Sequence, residues 1–268
     1  MPEGPEIYRA AREVHAALGG QPIEVALLHP ALAPRAKLLK SATITRVHAR
    51  SKAMLTEFSN GVVLYSHNQL YGEWRIHALG EALLDRQKRL LITTKSHCVV
   101  LYSATDFAWL RAGHEHLHPY IARLGPEVLA EGMTPAMLAK RLASFPRRNL
   151  ATALLDQGVL AGLGNYLRAD TLFVARLSPQ LRVGDLSSPQ LKNLAKVIHQ
   201  LTWRSLRHDG VLTSTTDYKK LRAGGDSYEA ARFFVFDREG LPCRVCSSPI
   251  ARISMGGRGV FFCPECQR

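Results

Sequence analysis

The stretch CRVCSSPIARISMGGRGVFFCPEC, residues 243–266, decides the fold of the C-terminal end of the chain. It holds two Cys-x-x-Cys pairs separated by sixteen residues: Cys243, Cys246, Cys263 and Cys266. This spacing is typical of a structural site in which four thiolates bind one tetrahedral zinc ion. Between the pairs, ARISM and GVFF have the composition of two strands, and the glycine-rich segment 256–259 predicts the turn that joins them. The sequence therefore predicts a zinc ribbon.

The distribution of the cysteines and the composition of the N-terminus favour metal binding over disulfides. Four of the five cysteines lie in the last 26 residues, whereas Cys98 lies in an apolar run that predicts a buried thiol without a role. The opening residues 1–6, MPEGPE, lack the basic and apolar segments of a signal peptide. Because disulfides are rare in cytoplasmic proteins, we predict a cytoplasmic protein that binds zinc through its paired cysteines.

The charge balance predicts a polyanionic partner. The chain of 268 residues has 35 Lys and Arg against 22 Asp and Glu, a formal net charge of +13. A hydrophobic fraction of 46% is typical of packed domains and excludes a disordered basic tail. No apolar run reaches the roughly 18 residues of a membrane span. Segments 25–56 and 132–155 hold six and four basic residues without an acidic one, which favours a surface that follows a nucleic acid backbone.

The N-terminal half combines one helix with many short strands. Pro5 and Glu6 favour a helix start, and apolar residues at helical spacing continue to Leu18, before two glycines. Residues 21–105 mostly alternate in steps of two, as β-strands do. The Ser-Asn-Gly turn at 59–61 and the segment 95–97 each separate two such strands, which predicts two hairpins. We therefore predict a β-sandwich or barrel-like domain over residues 1–122.

The second half is predicted to be helical. Residues 123–134 contain Gly-Pro and Thr-Pro pairs and are predicted to be a linker. A helical domain is expected over 135–232, with helices at 135–143, 150–157, 165–175 and 189–206. Its polar, glycine-bearing segment 208–230 is predicted to be a mobile loop. Residues 233–268 form the zinc ribbon, and the whole chain is assigned to the α+β class.

Pro2 and Glu3 form a candidate catalytic pair. After removal of Met1, Pro2 carries a secondary amine, which reacts with a sugar aldehyde to give a charged iminium ion. The Glu3 carboxyl group beside it is suited to donating and accepting protons. The alternative interpretation is structural, because prolines and acidic residues also begin helices well.

Three further motifs are weaker signals. VLAGLGNYL, residues 159–167, has Asn165 at the start of a helical stretch, which suits either a bound phosphate or a simple connector. Arg258, flanked by glycines at the tip of the predicted ribbon hairpin, suits bidentate phosphate binding, with a solvated turn residue as the alternative. His114, His116 and His118 lack the i,i+4 spacing of a helical metal site and are predicted to form an ordinary loop.

In their joint order, these motifs resemble the formamidopyrimidine-DNA glycosylase and endonuclease VIII family of bifunctional base-excision repair enzymes. The resemblance covers essentially the whole chain. It depends on residues 2–6, on Arg50-Ser51-Lys52 before a strand, on the turn 162–165 and on the terminal ribbon. It implies a helix-flanked N-terminal β-sandwich, followed by a helical domain with a helix-two-turn-helix and the zinc ribbon.

The resemblance also implies roles for single residues. Pro2 matches the residue that attacks the sugar C1′, and Glu3 matches the proton donor for base release and ring opening. Lys52 matches a lysine associated with β-elimination and a phosphate contact, and Arg258 an arginine associated with δ-elimination and phosphate binding. Three further residues match DNA-contacting positions: Gln69, Arg123 and Asn165.

Residues 66–72, SHNQLYG, are similar to the endonuclease VIII branch of this family. There, consecutive Gln, Leu and Tyr residues, which are Gln69, Leu70 and Tyr71 in this chain, fill the gap left by the extruded nucleotide. The implied substrates are oxidised pyrimidines in damaged double-stranded DNA. Two positions depart from the family pattern, because Ser51 stands where glycine is common and Asp170 where glutamate is frequent.

Two alternative functions stay open. The first is the purine-directed branch of the same family, which the segment 69–71 disfavours. The second is a non-catalytic zinc-ribbon DNA-binding protein, for which the basic surface and the ribbon suffice. Pro2 distinguishes this second alternative, because only the enzyme needs a reactive N-terminal amine. The resemblance further implies one structural zinc ion, no membrane partner, a monomer and association with the bacterial nucleoid.

Overall fold

The computed structural model describes residues 2–268, which form two compact units. The first unit ends at Arg123 and the second begins at Leu124. Each unit has its own hydrophobic core, and each is described by itself below.

The first unit is a sandwich of two four-stranded antiparallel sheets with a helix packed against it. Its elements are α1 (Gly4–Leu18), β1 (Glu24–Leu27), α2 (Ala36–Leu39), β2 (Ile44–Arg50), β3 (Ala53–Phe58), β4 (Val62–His67), β5 (Glu73–Ala78), β6 (Lys88–Thr93), β7 (His97–Tyr102), β8 (Asp106–Arg111) and α3 (Pro119–Ala122). The strand orders are β1-β6-β7-β5 and β2-β3-β4-β8. The pairs β3–β4 and β6–β7 are the two predicted hairpins. The predicted sandwich is therefore confirmed.

Helix α1 shares one core with both sheets. Ile7 and Leu18 lie on its buried face, in the same apolar cluster as Met54 of β3 and Leu101 of β7. Complete burial of an apolar side chain of this size contributes about 1.5–3 kcal/mol. Because α1 is held from two sides, Pro2 and Glu3, which lie directly before it, also have a defined position.

The second unit is helical apart from a terminal hairpin. Its elements are α4 (Pro135–Ala143), α5 (Leu150–Leu155), α6 (Asn165–Val174), α7 (Ser188–Arg207), α8 (Thr215–Ala223), α9 (Tyr228–Arg232), β9 (Ala251–Met255) and β10 (Arg258–Phe262). Thr134, Asn149 and Ser187 begin α4, α5 and α7 by accepting a hydrogen bond from the backbone N–H three residues further on. The helices predicted from spacing are thus present. Among residues 2–268, no helix combines the length and the apolar composition needed to cross a membrane.

Residues 124–134, part of the segment expected as a linker, are folded into the second unit. Val128 is completely buried in the core of that unit, and Leu129 is nearly so. The Gly125 N–H donates to the Gln157 carbonyl oxygen at 2.8 Å. The glycine and proline residues shape this segment, but its apolar pair fixes it against the core.

The prediction that 208–230 is a loop is wrong where α8 and α9 lie. Ser214 Oγ accepts from the Asp217 N–H at 3.0 Å, and Ser227 Oγ accepts from the Ala230 N–H at 3.1 Å. Each serine therefore satisfies an otherwise unpaired donor at a helix start. No side chain of α8 is fully buried, and only Tyr218 and Leu221 are partly buried, so the apolar periodicity of its sequence is weak. The Ser214 cap is the clearest local signal for this helix, and hydrophobic patterning does not detect it.

Strands β9 and β10 form the hairpin predicted for the ribbon. Gly256 and Gly257 join them at φ values of 62° and 73°, where glycine is favoured. Arg258 is the first residue of β10 and thus lies beside the turn, one step from the tip predicted from sequence. Phe261 packs in a small apolar cluster with Phe173 of α6, and this cluster fixes the hairpin against that helix.

Candidate functional site

The N-terminal pair lies at the start of α1. Glu3 is the N-cap of this helix, and its backbone N–H donates to Glu6 Oε2 at 3.0 Å. The Glu3 side chain is only 3% exposed, whereas Pro2 is half-buried. The helix expected under the structural interpretation is therefore present. It does not exclude a chemical role, because it fixes Pro2 and Glu3 side by side at the positive end of a helix dipole.

A cavity of about 400 Å³ opens beside Pro2. Its lining includes Pro2 and Glu6 from the N-terminal segment, and Leu70 and Tyr71 from the loop between β4 and β5. Ligand pockets typically have volumes of about 300–1,000 Å³, so this cavity is large enough for a small organic group. The structure thus brings together two segments that the sequence singled out separately.

The loop 68–72 holds two large apolar side chains out in solvent. The Gly72 N–H donates to the Asn68 carbonyl oxygen at 2.7 Å, and a Cβ atom at position 72 would lie 2.6 Å from that oxygen. Only glycine allows this close approach. Leu70 is 58% exposed and Tyr71 72% exposed. Adjacent apolar side chains on a tight turn form a surface suited to stacking or insertion.

Lys52 is carried by the two-residue turn between β2 and β3. Ser51, the other turn residue, is buried and has a φ of 59°. The hydroxyl group of Tyr120 donates to Ser51 Oγ at 3.2 Å and accepts from the Lys52 N–H at 3.3 Å. Sequence analysis did not identify Tyr120, because it lies 68 residues after Lys52 and belongs to no motif.

His67 connects this turn with the loop 68–72. Its ring makes an edge contact with Tyr120, with ring centroids 5.2 Å apart, and its Nδ1 accepts from the Gln69 N–H at 3.0 Å. Burial lowers the pKa of His67, and Lys52 lowers it further, while Asp106 acts in the opposite direction. Only a ring with an unprotonated Nδ1 accepts this bond, so burial favours the form that holds Gln69.

In the second unit, Asn165 joins helix α6 to strand β10. Its Nδ2 donates to the Gly259 carbonyl oxygen at 3.1 Å. The completely buried Arg168 donates to Asn165 Oδ1 and, at 3.1 Å, to the same Gly259 oxygen. The helix-two-turn-helix is therefore bonded to the strand that begins with Arg258. A predicted DNA-contacting residue thus also supports the predicted phosphate-binding arginine.

Asp170 anchors the other side of α6. Its carboxylate has no exposed surface. It accepts three backbone N–H groups at 2.8–3.0 Å: Phe234, Val235 and Phe236. Burial raises the pKa of Asp170 to about 6, although the three donors and Arg238 favour the charged form. Aspartate at this position thus fastens the chain that leads into the ribbon.

The four cysteines of the ribbon form a metal site. Their Sγ atoms all lie within 4.8 Å of one another, and they are the only such group of three or more potential ligands among residues 2–268. The Cys243–Cys266 and Cys246–Cys263 sulfur pairs are 3.9 Å and 3.4 Å apart. Tetrahedral zinc with Zn–S bonds of about 2.3 Å requires sulfurs about 3.8 Å apart. The donor set and the distances fit one structural zinc ion, as the spacing predicted.

The remaining candidates are surface or packing residues. Arg123 is exposed at the end of α3, and Arg258 is exposed at the start of β10. His118, from the histidine segment, packs on Tyr65 with ring centroids 4.0 Å apart. Cys98 is buried, with its sulfur 3.8 Å from Thr93 Oγ1. Both His118 and Cys98 therefore make packing contacts, and neither lines the N-terminal cavity.

Three known domain families match consecutive parts of the chain. Residues 1–107 match the formamidopyrimidine-DNA glycosylase N-terminal domain. Residues 124–217 match the formamidopyrimidine-DNA glycosylase H2TH domain, and residues 240–268 match the zinc finger found in FPG and IleRS. The three matches follow the order of sandwich, helix-two-turn-helix and ribbon.

Full-length relatives agree with these matches. Endonuclease 8 of Escherichia coli is 40% identical and that of Salmonella schwarzengrund 38% identical, with 100% of both chains covered in each case. The LlFpg protein, solved with a THF-DNA and an inhibitor, has a TM-score of 0.82 at 22% identity over 100% of both chains. Lactococcus lactis formamidopyrimidine DNA glycosylase bound to AP-site DNA has a TM-score of 0.79 at 22% identity over 99% of both. The solved structures share the fold.

Proposed function

The chain belongs to the formamidopyrimidine-DNA glycosylase family, and on this premise we propose that it is a base-excision repair enzyme with two activities. As a DNA glycosylase, it removes an oxidised pyrimidine from damaged double-stranded DNA. As an AP lyase, it then cleaves the strand by β,δ-elimination. We also propose that it acts as a monomer, since the family resemblance assigns every role in these steps to residues of a single chain.

The observation that carries this proposal is the arrangement of Pro2 and Glu3. Pro2 lines a cavity and, once Met1 is removed, carries a secondary amine, and the buried Glu3 next to it in the chain carries a carboxyl group. These are the two groups that such a reaction needs. A non-catalytic DNA-binding protein needs these two residues only to begin α1, and it needs no amine beside a cavity. The arrangement therefore favours the enzyme over the binding module.

In the proposed first step, the Pro2 nitrogen bonds to C1′ of the damaged nucleotide. The bond from C1′ to the base breaks, the nitrogen gives up its N–H proton, and the base leaves with the electron pair of the broken bond and takes up one proton. The C1′–O4′ bond then opens, O4′ takes a proton from Glu3, and the nitrogen lone pair forms the iminium ion. Nitrogen thus holds the sugar covalently after the base has gone.

The iminium ion then permits strand cleavage. It acidifies the hydrogens on C2′, and loss of one proton expels the 3′-phosphate, which is β-elimination. Loss of a C4′ proton expels the 5′-phosphate in the same way, which is δ-elimination. Lys52 and Arg258 are the cations proposed to stabilise the departing phosphates. Water finally hydrolyses the iminium ion and restores the Pro2 amine.

The loop 68–72 supports the proposed preference for pyrimidines. Leu70 and Tyr71 are exposed beside the cavity, where they are suited to replace the stacking lost when a nucleotide leaves the duplex. Gln69 offers hydrogen bonds to the base left without its partner. Arg123 and Asn165 are proposed to contact the DNA backbone. The relatives named Endonuclease 8 favour the same branch of the family.

A cleavage assay on three duplexes tests this function. The duplexes contain thymine glycol, 8-oxoguanine opposite cytosine, or a preformed abasic site, and both cleavage products are identified by their end groups. We expect rapid cleavage at thymine glycol and at the abasic site, with phosphate at both ends of the gap. Faster cleavage at 8-oxoguanine opposite cytosine contradicts the pyrimidine preference but leaves the lyase mechanism standing.

Variants at the N-terminus test the mechanism itself. Pro2→Gly and a form that retains Met1 are expected to lose cleavage by a factor of about 100 or more, because each changes or blocks the amine. Pro5→Ala is the matched control, since it changes the neighbouring proline in α1 and leaves the amine intact. Full cleavage by the form that retains Met1 contradicts the proposed role of Pro2.

A further inference from the structure

The turn that carries Lys52 has a side chain where the backbone favours glycine. Arg50 pairs with Ala53 across β2 and β3, so Ser51 and Lys52 are the two central residues of the turn. Ser51 has a φ of 59°, in the left-handed region. Non-glycine residues in this region are strained and persist only where their surroundings hold them. The left-handed backbone of Ser51 must therefore be held by contacts with its surroundings.

Tyr120 supplies these surroundings. Its hydroxyl group donates to Ser51 Oγ and accepts from the Lys52 N–H, at 3.2 Å and 3.3 Å respectively. Ser51 is almost completely buried, so water competes little for these bonds. A single phenol group thus binds both residues of the turn, one through its side chain and the other through its backbone.

Packing fixes Tyr120 in turn. Its ring lies 5.2 Å from the ring of His67 and 6.1 Å from the ring of Tyr65, measured between centroids. His67 pairs with Ala53 in the β3–β4 ladder, directly after the Lys52 turn. Ile121, which follows Tyr120 in the chain, is buried against the same sheet. The phenol group is therefore held in place relative to the strand that Lys52 precedes.

We propose that Tyr120 is a positioning residue for Lys52 and that Ser51 acts with it. The inference rests on the proposed contact between the Lys52 amine and a phosphate. Such a contact requires the backbone under the lysine to stay within a fraction of an ångström of one position. Where glycine would adopt this turn without strain, serine adopts it because Tyr120 binds its hydroxyl group.

Tyr120→Phe is the direct test, because it keeps the ring and removes only the hydroxyl group. We expect the single-turnover rate of cleavage at a preformed abasic site to fall about 10-fold to 100-fold. The slope of log Kobs against log salt for DNA binding should flatten by about one unit, as in Lys52→Ala. The urea midpoint of unfolding, measured in parallel, reports any loss of stability separately.

A double-mutant cycle separates positioning from general damage. If Tyr120 acts through Lys52, Tyr120→Phe should cause no further loss of rate in the Lys52→Ala background. Tyr65→Phe is the matched control, since its hydroxyl group bonds to Asp106 and not to the turn. A wild-type rate in Tyr120→Phe, or equal losses in both backgrounds, overturns the inference. An unchanged salt slope in Lys52→Ala instead contradicts the phosphate contact itself.

Substitutions at Ser51 test the second half of the proposal. Ser51→Ala keeps the strained backbone and removes the oxygen that accepts from Tyr120, so it should lower the cleavage rate, as Tyr120→Phe does. Ser51→Gly removes the acceptor but also the strain, and it leaves the bond from the Lys52 N–H to Tyr120 possible. We therefore expect Ser51→Gly to be the faster of the two variants. A slower Ser51→Gly contradicts the role assigned to the serine.

Discussion

At the scale of single residues, Asp170 makes the stability of the second unit depend on pH. Its pKa is about 6 in the folded chain, above the ordinary 3.8, because burial opposes its charge. The folded state thus binds the proton more tightly than the unfolded state does. The resulting stability is fully present below about pH 4 and is lost as the pH rises through about 6.

We therefore predict that Asp170→Asn removes this pH dependence. The stability of the wild-type chain relative to the variant should fall by about 2–3 kcal/mol between pH 4 and pH 7, since one pKa unit corresponds to about 1.4 kcal/mol. Urea unfolding of both proteins at several pH values measures the difference. A difference that rises with pH in this window would mean that the three N–H donors outweigh burial.

Local spacing decided which single residues could be predicted. The four cysteines form two closely spaced Cys-x-x-Cys pairs, and Pro2 and Glu3 are adjacent, so their chemistry is visible in the sequence. Tyr120 lies far along the chain from the turn that it supports, and the β-sandwich brings the two together. Asp170 was visible only as a departure from a family pattern, and its three backbone donors are revealed by the fold.

At the scale of elements, the loop 68–72 behaves as a prepared surface. Gln69 is held by His67 and by Thr105, whose Oγ1 donates to Gln69 Oε1 at 3.4 Å. Arg86 donates to the Tyr71 carbonyl oxygen at 2.6 Å. These bonds hold the backbone while the apolar side chains of Leu70 and Tyr71 stay in solvent. A surface formed before binding loses less entropy when DNA arrives.

Leu70→Ala with Tyr71→Ala should weaken binding to a lesion duplex about 10-fold to 100-fold, because one stacking contact is worth about 1–3 kcal/mol. Binding to undamaged duplex should change little, since no gap needs filling there. Fluorescence anisotropy with both duplexes measures the two affinities. Leu117→Ala, which removes another exposed leucine, is the control. Equal losses on both duplexes contradict the gap-filling role.

Elements with a strong local signal were predicted, and those without one were not. The hairpins follow from two-residue alternation around turn residues, and the long helices follow from apolar spacing behind a cap. Helices α8 and α9 have caps but little or no buried face, so their polar sequence suggested a loop. Residues 124–134 have the opposite pattern, because two apolar residues outweigh the glycine and proline signals.

At the scale of the whole molecule, membership of this family suggests that the net charge of +13 serves to bind DNA. Some of the basic residues are proposed to contact phosphates, and the others give an attraction to DNA that does not depend on sequence. Composition indicated a polyanion but could not distinguish DNA from RNA, heparin or a membrane surface. The order of motifs along the chain resolved that choice, and the match to known families agrees with it.

Removal of zinc should unfold the ribbon and leave the sandwich intact. The ribbon core is a small apolar cluster that includes Cys243 and Cys263, so it depends on the metal. Without it, β10 and Arg258 lose their support, and affinity for DNA should fall about tenfold or more. Hydrogen exchange should rise over residues 240–268 and stay slow in the strands of the first unit.

A matched pair of variants controls for the chelator. Cys246→Ser removes a zinc ligand, whereas Cys98→Ser removes a buried thiol of the first unit that lies outside the four-cysteine group. Only Cys246→Ser should reproduce the effect of chelation. Unchanged DNA affinity in a protein shown to have lost its zinc would contradict the supporting role given to the ribbon.

The central claim is that the Pro2 amine becomes bonded to the sugar, and borohydride trapping tests it most directly. The protein is mixed with a duplex that contains thymine glycol, the iminium ion is reduced, and the cross-linked peptide is identified by mass spectrometry. The account predicts that the sugar is attached to the peptide that begins with Pro2. Attachment to Lys52 or another lysine, or no adduct from protein that has lost Met1, would contradict it.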